Sequence, residues 1–225
     1  MSNVYTIEVQ NERGANTNYA MFMDTPQFSD GQQPWMNVWY TSFVPSGGTL
    51  EVRTGADFYA WTGTVPTSPA PGVVVVSGMS LLSRLGTPSV PGSAFDLKVI
   101  ESFPTLQELE PTAPAESFQF NTGSDFNMPN NNYLVGLAKV NHRGQVAPVA
   151  SIAPRPNSKV QITPKMKFFV TESHQVPGEI ADHDSVTRDG ATIDFTAGPG
   201  KAKFFARVVQ GPDGRFTVTY SDSDE

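Results

Sequence analysis

Apolar and polar side chains alternate along this chain from its first residues. Tyr5, Ile7 and Val9 are interleaved with Thr6, Glu8 and Gln10, which puts three apolar side chains on one face of an extended segment and three polar ones on the other. That is the pattern of a half-buried strand. It returns at Leu50 and Val52, at Phe95, Leu97 and Val99, at Val160 and Ile162, at Ala191, Ile193 and Phe195, and at Phe216, Val218 and Tyr220. Residues 19–23 open a further apolar run whose partner is expected within 36–43. The continuous run Val73 to Val76 predicts a strand buried on both faces. Pro212, Asp213 and Gly214 stand between two alternating runs and predict a hairpin turn, because proline presets φ at the first corner and glycine accepts positive φ later. No long segment has helical spacing of apolar residues, and residues 80–85 are the one place where a short helical turn is expected. The fold class expected is all-β.

One stretch occurs twice. Ser42, Phe43, Val44 and Pro45 precede Leu50, Val52 and Phe58; Ser151, Ile152, Ala153 and Pro154 precede Val160, Ile162 and Phe168. Ser42 to Ser151 and Pro45 to Pro154 are both separations of 109, and Leu50 to Val160 and Phe58 to Phe168 are both 110, so a single slip of one residue aligns the two. The spacing predicts an internal duplication, with two tandem antiparallel sandwich-like units at 1–103 and 118–221. The segment 104–117, with prolines at 104, 111 and 114, is expected to link them. The two copies differ in one loop. In the first it runs from Asp24 to Trp35; in the second its counterpart is a short hairpin turn, Asn141 to Gln145.

Composition narrows the class. The 225 residues contain 19 Gly, 19 Pro and 15 Phe with 16% charged residues, which suits many short strands joined by tight turns. Cysteine is absent, which removes disulfides, thiolate nucleophiles and zinc sites built on sulfur. A net charge of −7 argues against nucleic acid as a partner, since that affinity depends on concentrated Lys and Arg. Part of the acidity lies in the tail 222–225, expected to be a solvated end. Residues 1–8 have neither a basic segment nor an apolar core, and no apolar run approaches the roughly 20 residues of a membrane span. A soluble protein of the cytoplasm, with no membrane partner, is expected.

Residues 126–137 (Phe126, Asn127, Met128, Pro129, three Asn, Tyr133, Leu134, Val135, Gly136, Leu137), followed by 145–150 and 160–164, resemble the RhiA-like, or rhizosphere-induced, microbial proteins. Asn37, Val38 and Trp39, and the Pro71-Gly72 pair, extend the likeness over most of the chain. The resemblance implies a β fold in a soluble bacterial or fungal protein of poorly characterised function. It implies no reaction and brings no functional residues with it.

Candidate chemistry is sparse. Trp35, Trp39, Tyr40, Tyr59 and Trp61 all fall in the first copy, where they either fill its core or line an aromatic cleft under the loop 24–35 that takes a sugar, a peptide or a flat metabolite. His174, Asp182, His183 and Asp184, with Glu172 and Glu179 nearby, mix imidazole and carboxylate donors suited to a divalent metal, although their spacing matches no established metal motif. His142 lies in a turn, where exposure is the ordinary explanation. Ser42 and Ser151 are not framed as nucleophiles, and the stretch Gly198-Pro199-Gly200-Lys201 lacks a following Ser or Thr. No cofactor is expected. Two functions follow: a non-enzymatic binding or assembly module with a small-molecule, sugar or protein partner, or a cyclase- or isomerase-type enzyme using the aromatic cleft with Asp24 or Asp57.

Overall fold

The computed structural model of the chain describes residues 4–130 and 132–222. In chain order the strands are β1 (Val4–Asn11), β2 (Thr17–Met23), β3 (Gln27–Phe28), β4 (Trp35–Asn37), β5 (Tyr40–Val44), β6 (Thr49–Gly55), β7 (Phe58–Thr64), β8 (Val76–Ser83), β9 (Gly92–Ile100) and β10 (Phe103–Ala113). They continue as β11 (Phe118–Thr122), β12 (Tyr133–Val140), β13 (Val146–Ile152), β14 (Lys159–Thr163), β15 (Lys167–Glu172), β16 (Ile180–Ala181), β17 (Ala191–Asp194), β18 (Phe205–Gln210) and β19 (Phe216–Ser221), with a short α-helix, α1 (His183–Asp189), before β17 and a 3-10 turn, Gly198–Gly200, after it. The alternation read in the sequence is the cause of this: Ile7 and Val9 are completely buried while Glu8 between them is not.

The strands form four sheets, ordered β19-β18-β1-β6, β10-β9-β11-β14-β3, β17-β15-β2-β5 and β16-β4-β13-β12-β7-β8. The fold is all-β and sandwich-like. Every sheet takes strands from both the first and the second half of the chain. β1 runs parallel to β18 and antiparallel to β6; in the same senses β11 runs parallel to β9 and antiparallel to β14. β2 lies between β5 and β15, and β12 lies between β13 and β7. The same order of neighbours thus occurs twice, with strands exchanged between the halves. Leu50 stands opposite Val9 and Val160 opposite Phe120, all four buried. The turns ahead of these strands also correspond: Gly47 (φ 74°) donates its N–H to the Asn11 carbonyl, and Asn157 (φ 52°) donates its own to the Gly123 carbonyl.

The exchange joins the halves through one main apolar core. Ile7, Val52 and Trp39 share it with Phe120, Val160 and Phe168, and Phe95, Phe118 and Phe120 stack within about 6 Å of one another at its centre. Consequently the segments 1–103 and 118–221 do not close separate sheets.

Four local expectations are corrected. Most of 104–117 is strand rather than linker: β10 pairs with β9 as an outermost strand, and its register shifts between Leu109 and Ala113, where Pro111 has no N–H to give. Residues 80–85 belong mainly to β8 and are not helical, because pairing with β7 overrides their local preference. Val73 to Val76 is not buried on both faces; Val75 is inside while Val74 and Val76 are exposed. The α-helix α1 falls in a stretch read as a polar loop, and Asp182 starts it by accepting hydrogen bonds from the N–H groups of Asp184 and Ser185. Of the acidic tail, Asp222 pairs with Lys203 at 2.9 Å; residues 223–225 lie outside the described residues. Among the described residues no helix is long and apolar enough to cross a membrane.

Candidate functional site

The long loop between β2 and β4 is held at three places. Its centre, β3, pairs with β14 through Phe28 opposite Ile162 and Gln27 opposite Thr163, and its end, β4, pairs with β13 through Trp35 opposite Ser151. The loop therefore bridges two sheets. Phe28 is buried in the main core. Ser29 and Gln161 clasp each other twice, by Ser29 N–H to the Gln161 carbonyl (3.0 Å) and by Gln161 N–H to the Ser29 hydroxyl (2.9 Å). Gly31, at φ 74°, closes a turn onto the Phe28 carbonyl, and Asp30 accepts the Gln32 N–H. A loop fixed in this way presents a shaped surface without needing to order itself on binding.

That surface is a groove of about 470 Å³ between the loop and β14, and no side chain lining it titrates. Its polar groups are amides and hydroxyls, with Gln27, Gln33, Gln161 and Thr163 prominent, set beside Pro26, Pro34 and Phe28. The side-chain amides of Gln27, Gln33 and Gln161 have no hydrogen-bond partner among the described residues. Each amide offers two donors and an acceptor with two lone pairs.

The aromatic residues singled out in the sequence do not converge on this groove. Trp39 is fully buried, its indole N–H donating to the Lys139 carbonyl (3.2 Å) and its ring 5.7 Å from Phe168. Trp61 is also buried and donates to the Ser77 hydroxyl (3.2 Å). Trp35 and Tyr59 are half-buried and pack beside Trp61 in a second cluster, while Tyr40 belongs to the main core. The five are divided between two packed clusters, and Trp39 and Trp61, with their one donor satisfied, are stable away from water. Neither carboxylate named for catalysis lies at the groove: Asp24 pairs with Lys167 at 3.2 Å, and Asp57 borders a separate depression with Arg84 and Glu108.

The four residues of the metal reading are not gathered into one cluster. Among the described residues no three His, Asp or Glu side chains come together as metal ligands. Asp182 spends its oxygens on the start of α1, and those hydrogen bonds hold its carboxyl below the usual carboxylate range. His183 stands between Asp24 (3.8 Å) and Asp184 (3.6 Å), whereas His174 lies beside Asn18.

One buried ionisable group escaped notice in the sequence. Lys139, on β12, is 1% exposed, and its ammonium donates to the carbonyls of Gly55 (2.5 Å) and Asp57 (3.0 Å) under the Phe58 ring. Burial lowers its pKa to about 7, opposed by the Asp57 charge. Its contacts tie the β6–β7 turn to the core.

The molecule is thus an all-β sandwich-like protein with a neutral, amide-lined groove on one rigid loop. The RhiA family model matches residues 2–221, and the chain belongs to the RhiA family. No curated protein and no solved structure matches it. The residues that carried the resemblance serve the scaffold: Asn130 clamps its turn by donating to the carbonyls of Tyr133 and Pro154, and Phe126 packs on Tyr133 at 5.9 Å. The groove amides were missed because isolated glutamines in a polar loop carry no pattern; the length difference between the two loops was the one signal for them.

Proposed function

We propose that this chain is a non-enzymatic binding module whose ligand sits in the groove of loop 24–35 and is uncharged and hydroxyl-rich, of the saccharide class. The observation that carries the reading is the set of unpartnered amides at Gln27, Gln33 and Gln161 in a cavity without titratable side chains. A charged ligand would find no counter-ion there, and a purely apolar one would strand the amides without partners. Hydroxyls satisfy both donors and acceptors of an amide, and Pro34, half-buried at the groove, offers an apolar edge against which a sugar ring packs. A general acid or base within reach of the reacting atoms, which catalysis on such a ligand needs, is not part of the lining. The duplication is part of the same proposal: the recurrent strand order supports an ancestral unit present twice, and the groove lies where the two copies differ most in loop length.

The test is a calorimetric titration with a panel of neutral disaccharides and their uronic-acid counterparts, repeated on Gln161→Ala and Gln27→Ala. Saturable binding of a neutral member that weakens by about tenfold in either variant is expected, from loss of one or two hydrogen bonds. Preference for the acidic sugars, or equal binding by the variants, overturns the reading.

A further inference from the structure

A second cavity, of about 300 Å³, lies where the 141–145 hairpin approaches β5 and shares no residue with the groove above. We propose that it binds a small organic carboxylate with an apolar body.

The hairpin is preorganised. Asn141 is buried, and its side-chain oxygen accepts the N–H groups of Arg143 (2.9 Å) and Gln145 (3.1 Å), while Gly144 at φ 76° closes the turn. This fixes Arg143 with its guanidinium 5.5 Å from the Tyr40 ring centre, and His142 meets the same ring edge-on at 6.1 Å. Arg13, Arg188, Arg207 and Arg215 each pair with a carboxylate. Arg143, like Arg84 and Arg155, has no such partner among the described residues, and of these three it alone lines this cavity. With no carboxylate on it, the Arg143 guanidinium keeps its fork of N–H donors available beside the Tyr40 ring, and that fork takes a carboxylate through two parallel hydrogen bonds.

The remaining walls supply the other half of the ligand's chemistry. Val75, Pro148 and Pro177 face the cavity beside the hydroxyl-bearing Ser77. The volume is at the small end of ligand sites, so it suits an acid with one short aliphatic or single-ring body, and it excludes polymers and nucleotides. One cation and apolar side chains lining the same cavity select an amphiphilic monoacid over an inorganic anion.

The test uses the full chain with benzoate, hexanoate, benzyl alcohol and inorganic phosphate as probes, read by ligand-observed NMR and calorimetry. Benzoate or hexanoate is expected to bind saturably in the millimolar range or tighter. Arg143→Gln is expected to weaken that binding by about tenfold or more, and Arg143→Lys, which keeps the charge but loses the planar fork, to fall between. Thermal melting of both variants verifies the fold, and if the glutamine variant melts early the lysine variant alone decides. No saturable binding of either acid, unchanged binding in the variants, or equal binding of benzyl alcohol or phosphate each overturns the proposal. Because the two ligands expected to bind here are acids and the groove on loop 24–35 is neutral, failure here and failure there are separate results.

Discussion

Replacing Lys139 with methionine tests whether a buried ammonium weakens this fold, and the protein itself suggests the substitution. Met23 stands opposite Phe168 in the β2–β15 ladder, and Lys139, one step beyond the Ala138–Tyr59 pair, stands at the corresponding place beside Phe58. The pKa of Lys139 falls from 10.5 to about 7 on folding, so the unfolded chain holds this proton more tightly than the folded one. Below pH 7 both states are protonated and the folded state carries the full cost of the buried charge. Between pH 7 and 10.5 that cost is relieved as the folded state releases its proton, so stability rises with pH by up to about 1.4 kcal/mol per unit. The full difference is about 5 kcal/mol. Against its removal stand the two hydrogen bonds to Gly55 and Asp57, each worth about 1.5 kcal/mol, so Lys139→Met is expected to gain about 2 kcal/mol at pH 7. Urea unfolding followed by tryptophan fluorescence measures this, with Trp39, bonded to the Lys139 carbonyl, as the local reporter. Working from pH 7 to about 9.5 keeps below the titration of Tyr19, which burial pushes above the ordinary tyrosine value. The reasoning is refuted if the variant is less stable than the parent at pH 7, or if both show the same rise of stability with pH.

Two further outcomes follow from the exchanged strands and their close packing. Fragments 1–116 and 117–225 are expected to be unfolded alone by circular dichroism and to regain sheet structure when mixed, since β1–β18, β9–β11, β2–β15 and β7–β12 all pair across the division; a fragment that folds by itself contradicts this. Gly136→Ala is expected to destabilise the protein by about 2 kcal/mol or more, because a Cβ there would meet the Ala150 carbonyl oxygen at 2.0 Å, and the measurement is the midpoint of thermal or urea unfolding.

How much of this was readable in advance differs from element to element. The strand β1 was visible because Ile7 and Val9 point to one side and must be buried, and the last hairpin because Gly214, at φ 80°, takes a conformation that few other residues accept. The recurrence of Leu50 and Val160 was visible because both obey the same alternation. The helix α1 was missed since seven residues with a single buried one, Val186, give no period to detect; its signal was the capping aspartate, which had been read as a metal ligand. Of the aromatic residues, the sequence reported their number but not their destinations, as a tryptophan fills a core or lines a cleft with the same letter.

By itself, then, the sequence determined that the chain forms short amphipathic strands, where most of them turn, and that one stretch of alternation recurs about 110 residues on. Those properties are local: they follow from side-chain alternation and from turn residues a few positions apart. Only the tertiary structure decided which strands pair, since pairing depends on backbone groups that every strand offers alike. It also decided that Lys139 is buried, that Trp39 and Trp61 are core, that three glutamines share a groove and that Arg143 is left without a carboxylate. Each of these is a matter of which distant segments meet, and a chain that exchanges strands between its halves sets those meetings by its global topology.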